Sequence, residues 1–120
     1  MSRYKVLNIE KYWDSELMES NDGRKEITIK KLTFGEMSKV QAAIANIKVL
    51  ANVSSMSPDI EKLKLMMVNF SIFKAPVIKM ADNTTLIFDS KDFKYVENLP
   101  ATLGNYIYEE VEEFNKVDPN

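Results

Sequence analysis

The sequence predicts an α+β fold, a mainly helical small domain with β-hairpins at its start and in its second half. Apolar residues alternate with polar ones over residues 26–32, as in a half-buried strand. Two helix start signals, Thr33-Phe34-Gly35-Glu36 and Ser57-Pro58-Asp59, each precede a long stretch with apolar residues at helical spacing. The 120 residues contain no repeat, low-complexity tract or linker. A single domain, 1–120, is therefore the economical interpretation.

Residues 1–32 are predicted to form the β-rich start. Residues 4–9 and 26–32 are expected to pair as antiparallel strands, with a turn signal, Asn-Asp-Gly at 21–23, in the polar segment between them. We expect that segment, residues 14–25, to be a long mobile loop.

Residues 33–75 are predicted to form a helical hairpin. Thr33 and Glu36 match a capping box, in which each side chain accepts a hydrogen bond from the other residue's amide. The first helix should run to about Val53, and the second should continue until Pro76 stops it. Beyond their inward stripes both helices carry further apolar residues and few charges. Such a hairpin is either central in its domain or covered by another chain.

The last third of the chain is predicted to hold a second β-hairpin over 76–90 and helices over 91–117. The turn between the two short strands is expected at 81–84, and Pro100 should open the final helix. Four glutamates lie near the C-terminus at positions 109, 110, 112 and 113, and all but Glu110 are predicted to point away from the apolar stripe of that helix. A solvated acidic face is the interpretation of this cluster.

Composition excludes most catalytic and metal chemistry. The chain has no histidine and no cysteine, so the usual general base, the thiol nucleophile and the ligands of zinc sites are missing. Three scattered glycines cannot form a dinucleotide-binding or phosphate-binding loop. We therefore expect a protein that is not an enzyme and has no cofactor or metal.

The charge distribution argues against nucleic acid as a partner. The net charge is −2, and the best basic clusters are two doublets, Arg24-Lys25 and Lys30-Lys31. A small nucleic-acid-binding regulator that uses these four residues stays an alternative. The N-terminus lacks a signal-peptide-like apolar core, and no apolar stretch has the length of a membrane span. A cytoplasmic protein without membrane contact is expected.

A protein-binding surface is the functional feature that the residues favour. The chain has seven methionines, and Met66-Met67 falls where the second helix is apolar on every side. The predicted partner-binding residues are Leu65, Met66, Val68, Ile72 and Phe73, together with Ala42, Ala45 and Val49 on the first helix. The alternative is that these residues fill the core of a small domain. If they do not, a client segment or a second copy of the chain would cover them.

The order of these elements resembles the tail assembly chaperones of long-tailed bacteriophages and prophages. The resemblance covers residues 26–116. It rests on a strand that leads into the helix start Leu32-Thr33-Phe34-Gly35-Glu36, and on the step Leu99-Pro100 before a helix that ends near Asn115.

The resemblance implies a cytoplasmic protein of the infected cell that is absent from the finished virion. It would bind the aggregation-prone tape measure protein, aid recruitment of tail tube proteins, and in some members exist in a longer frameshifted form. The alternative within viral assembly is a structural tail completion or connector subunit that uses the same surfaces to form a homo-oligomer.

Overall fold

The computed structural model of the protein describes residues 3–20, 23–50 and 57–116, without the side chains of 43–50 and 57–61. Helices make up 43% and strands 23%, and the strands form two small antiparallel sheets, which confirms the α+β prediction. The described elements in chain order are β1 (Tyr4–Asn8), a 3-10 helix (Glu10–Tyr12), β2 (Met18–Ser20), β3 (Glu26–Lys30), α1 (Phe34–Leu50), α2 (Ser57–Ser71), β4 (Ile72–Lys74), β5 (Ile78–Met80), β6 (Thr85–Leu86), α3 (Lys94–Glu97) and α4 (Ala101–Phe114).

The first sheet has the strand order β1-β3-β4. β1 and β3 are antiparallel, with Tyr4 opposite Lys30 and Asn8 opposite Glu26, so the predicted pairing is confirmed. Because side chains alternate between the two faces of a strand, Ile27 and Ile29 are both fully buried on the inner face.

The predicted helical assignment of Ile72 and Phe73 is wrong. α2 ends at Ser71, and the next residue begins β4, in which Ile72 lies opposite Ile29 of β3. The periodicity of a short apolar run is compatible with both a helix end and a strand. Here the run forms a strand because one edge of β3 is available to pair with it. Pro76 therefore follows a strand and does not stop the helix.

The second sheet has the order β2-β5-β6. Its strand β2 lies within residues 14–25, so the prediction of one long mobile loop there is wrong. Met18 in β2 lies opposite Met80 in β5 and is 2% exposed. The predicted hairpin of β5 and β6 is confirmed, with Asn83 in the left-handed region at a φ of 71° and the Thr84 amide donating to Asp82 Oδ1 at 2.9 Å. The sequence did not indicate β2, because three residues are too few to show a strand period.

α4 supplies the centre of the hydrophobic core with Leu103, Ile107 and Val111, each fully buried as its helical spacing predicts. Polar contacts fix this helix to the first sheet. Lys5 Nζ lies 2.7 Å from Glu110 Oε2. Asn115 Oδ1 also accepts a hydrogen bond from an amide of the segment after β3, that of Leu32, at 2.8 Å.

α1 begins with the predicted capping box. The Thr33 amide donates to Glu36 Oε1 at 2.9 Å, and the Glu36 amide donates to Thr33 Oγ1 at 3.2 Å. Lys30 Nζ adds an ion pair to Glu36 Oε1 at 2.8 Å, which connects the end of β3 to the first turn of α1. α1 and α2 contact each other, as a helical hairpin requires. The predicted end of α1 near Val53 lies outside the described residues.

The capping box gives the protein an acid-sensitive contact. Burial by itself raises the pKa of Glu36, but hydrogen bonds from Lys30 and from the Thr33 amide outweigh it and hold the pKa below its ordinary value. Ionised Glu36 therefore stabilises the folded state above its unfolded pKa, and this contribution is lost as the pH falls through the folded pKa. We expect the difference in unfolding free energy between wild type and Glu36→Gln to shrink as the pH drops from neutral into the acidic range. Urea unfolding followed by circular dichroism measures it, and a difference that does not change with pH would contradict the assignment.

Candidate functional site

The eight residues predicted to bind a partner do not form one surface. Val68 and Ile72 are each 3% exposed and belong to the hydrophobic core, so the prediction that they bind a partner is wrong. The physical reason is that the C-terminal part of α2 and the strand after it pack onto the rest of the chain on their apolar side. These two side chains therefore stabilise the fold and offer almost no area to a partner.

The other predicted residues are spread over three elements. Leu65 and Met66 are half-buried on α2, whereas Phe73 is 51% exposed on β4, where its ring centroid lies 4.6 Å from that of Tyr4. Ala42 is exposed on α1. The side chains of Ala45 and Val49 lie outside the described residues.

A groove runs between α2 and the helices that follow β6. We call it the α2–α4 groove; its volume is about 470 Å³. Its lining comprises Lys64, Leu65 and Val68 from α2, Val96, Glu97 and Leu99 from α3 and the residues after it, and Ala101, Gly104, Asn105 and Tyr108 from α4. Of the residues predicted to bind a partner, the groove thus contains Leu65 and Val68, while Ile72 and Phe73 lie elsewhere.

Gly104 gives the groove its open side along α4. It lies in the first half of α4, has no positive φ, and a Cβ placed on it would meet no atom within 4 Å. Neither backbone conformation nor internal packing therefore requires glycine here, although glycine in a helix costs about 1 kcal/mol relative to alanine. What the glycine does provide is room in the groove.

The rim of the groove is polar and held in place. Lys64 Nζ lies 5.2 Å from the centroid of the Tyr108 ring. Burial raises the pKa of Tyr108, and the charge of Glu112 and a hydrogen bond to it raise the pKa further, so the phenol stays neutral. Glu97 contributes a negative charge elsewhere in the lining. A segment lying in the groove would meet apolar area between polar groups of both signs.

A second exposed apolar area lies on the outer face of the first sheet. It consists of Tyr4, Val6 and Phe73, which are 44%, 59% and 51% exposed, and we call it the outer patch. Tyr4 and Val6 share this face because they are two residues apart in β1, and the contact between the Tyr4 and Phe73 rings joins the two edges of the sheet.

The basic doublets contact protein groups of their own chain. Lys30 pairs with Glu36, Lys25 Nζ lies 5.8 Å from the centroid of the Trp13 ring, and Lys31 Nζ lies 5.5 Å from that of Phe114. The geometry therefore gives the nucleic-acid alternative little support.

Within residues 3–20, 23–50 and 57–116, no three acidic side chains converge into a group that could hold a metal ion. No helix in those same ranges combines the length and apolar character needed to cross a membrane.

Comparison with known proteins gives no relative for this chain: no family model, curated protein or solved structure matches it. The resemblance to tail assembly chaperones therefore stays a prediction.

Sequence reasoning missed Gly104 and Tyr108 as groove residues and Tyr4 and Val6 as an exposed patch. A glycine inside the strongly amphipathic stretch of α4 was the available signal for the groove. No comparable signal marked Val6, because the sequence does not show which face of a strand a valine occupies.

Proposed function

We propose that this protein is a non-catalytic binding protein that holds an apolar helical segment of another protein in the α2–α4 groove. The observation that carries the proposal is Gly104, which leaves room beside Leu65 at a cost to helix stability that no contact among the described residues requires. Helix-in-groove recognition places apolar side chains one helical turn apart into such a depression.

The resemblance to tail assembly chaperones supports a particular client, the tape measure protein of a long-tailed phage or prophage. A tape measure offers long amphipathic helices that aggregate when unprotected. Glu109, Glu112 and Glu113 are exposed on α4 and would help to keep a complex with such a client soluble. In this proposal the protein acts in the cytoplasm of the host cell, aids assembly of the tail tube and is absent from the finished particle.

Filling the groove is expected to weaken client binding without harming the fold. In Gly104→Leu the new side chain enters open space, so we expect client affinity to fall at least about tenfold. The free energy of unfolding should rise by up to about 1 kcal/mol, because leucine favours a helix more than glycine does. Fluorescence anisotropy with labelled helical peptides that span the tape measure protein measures the affinity, and urea unfolding measures the stability.

Glu109→Leu is the matched control, because it adds the same side chain to the same helix outside the groove, at an exposed position. It should bind the peptides as wild type does. If Gly104→Leu also binds as wild type, the groove is not the site; if no tape measure peptide binds the wild type, the proposed client is rejected.

Mass spectrometry of purified virus particles provides an independent test. A chaperone should be absent from them. Stoichiometric amounts of the protein in the particle would contradict the proposal and favour a tail completion or connector subunit.

A further inference from the structure

β1 is the outermost described strand of the first sheet, and no described strand pairs with its edge away from β3, which we call the open edge. At the two ends of its ladder the Lys31 amide donates to the Arg3 carbonyl at 3.2 Å, and the Ile9 amide donates to the Lys25 carbonyl at 2.9 Å. Antiparallel strands alternate hydrogen-bonded and non-hydrogen-bonded pairs, so the odd-numbered residues of β1 bond to β3. The amide and carbonyl of Val6 therefore point to the open edge, where no described residue bonds to them.

Features that usually prevent edge strands from pairing are prolines, bulges, very short strands, charged side chains and a covering helix or loop. Of these, β1 carries one charged side chain, that of Lys5. At the opposite edge of the sheet, β4 has only three residues, and its pairing with β3 shifts register between Thr28 and Ile29. β1 has five residues in uninterrupted register, and its only charged residue, Lys5, is neutralised by Glu110 on the inner face.

We infer that β1 pairs antiparallel with β1 of a second copy of the chain, about a two-fold axis at Val6. In this register Val6 and Val6 of the partner subunit form a hydrogen-bonded pair, in which each amide donates to the other's carbonyl. Tyr4 lies opposite Asn8 of the partner subunit, so no like charges meet on the outer face. The result is a continuous six-stranded sheet with order β4-β3-β1-β1-β3-β4.

A second copy fits this edge because β1 itself supplies what the edge requires. An incoming strand must present an open edge of its own and uncharged side chains on its outer face, and β1 meets both conditions. Pairing also brings two outer patches side by side, so that the 59% exposed side chain of Val6 is covered by its counterpart. The inference concerns a different face from the α2–α4 groove and does not depend on the proposed function.

Replacement of Val6 by lysine is expected to convert the dimer into a monomer. Val6→Lys places two ammonium groups at the two-fold axis, so the dissociation constant of the dimer should rise at least about tenfold. Val6→Thr is the matched control, since it keeps a β-branched uncharged side chain and should stay dimeric. Sedimentation equilibrium over a wide range of protein concentration measures the dissociation constant, and circular dichroism checks that each variant folds.

Cysteine cross-linking tests the register. The chain has no cysteine, so Val6→Cys introduces a single thiol, and paired Cα atoms about 5.5 Å apart are within disulfide range. We expect mild oxidation to yield a covalent dimer faster than for Ile87→Cys, whose position is 67% exposed and outside the strands. A monomeric wild type, a dimer that survives Val6→Lys, or equal cross-linking of the two thiols would overturn the inference.

Discussion

Replacement of Ile72 by alanine is expected to lower the free energy of unfolding by about 2–5 kcal/mol, the largest change at any of the eight residues predicted to bind a partner. Ile72 is 3% exposed in β4, opposite Ile29 of β3, and its side chain packs into the core. Truncation removes buried methyl groups and leaves a cavity that the sheet cannot close. Urea unfolding followed by circular dichroism measures the loss.

Phe73→Ala is the matched control in the adjacent position. Phe73 is half exposed on the other face of the strand, where its ring contacts that of Tyr4, so a loss of no more than about 1 kcal/mol is expected. Ile72 and Phe73 should differ in this way because neighbouring side chains of a strand point to opposite faces of the sheet. Similar losses at both positions would contradict the placement of β4 in the first sheet.

Replacement of Tyr95 by alanine is expected to cost about 3–5 kcal/mol. Tyr95 is 1% exposed in α3, its ring packs edge-on against Phe88 at a centroid distance of 5.8 Å, and its hydroxyl donates to the Pro76 carbonyl at 2.7 Å. This one side chain connects the four-residue helix α3 with the segment between the two sheets. The variant should therefore unfold at a much lower urea concentration than wild type.

Tyr95→Phe separates the hydroxyl from the ring. It keeps the packing against Phe88 but leaves the buried Pro76 carbonyl without this donor, so a loss of about 1–3 kcal/mol is expected. If the phenylalanine and alanine variants lose the same amount, the ring contributes nothing and the account of the core around α3 is wrong.

The parts of the fold that the sequence predicted are those controlled by local chemistry. Thr33 and Glu36 cap α1 as their spacing requires, because both partners lie within one helical turn. Leu103 and Ile107 are buried because helical periodicity over α4 leaves only one apolar side to face the core. Such signals depend on neighbours in the chain, so tertiary structure has little opportunity to override them.

The wrong predictions concern short segments whose structure depends on a distant strand. Met18 lies in β2 only because β5 pairs with it, and Ile72 begins β4 only because β3 has a free side. A strand of three residues gains its hydrogen bonds from its partner and has almost no period of its own. The prediction of the binding site was limited in the same way. It grouped the apolar residues of α2 and β4 because they are close in the sequence, whereas the groove combines Leu65 with the distant residues Gly104 and Tyr108.

The sequence by itself determined that this chain lacks histidine and cysteine, that its fold is α+β, and where its capped helix and its first strand pair lie. Those properties follow from composition and from contacts within a few residues. Only the tertiary structure decided that Val68 belongs to the core, that Gly104 opens a groove, and that Val6 lies exposed at an open sheet edge. Exposure is set by which elements pack together over long sequence distances, and an apolar side chain looks the same in the sequence whether it faces the core or a partner.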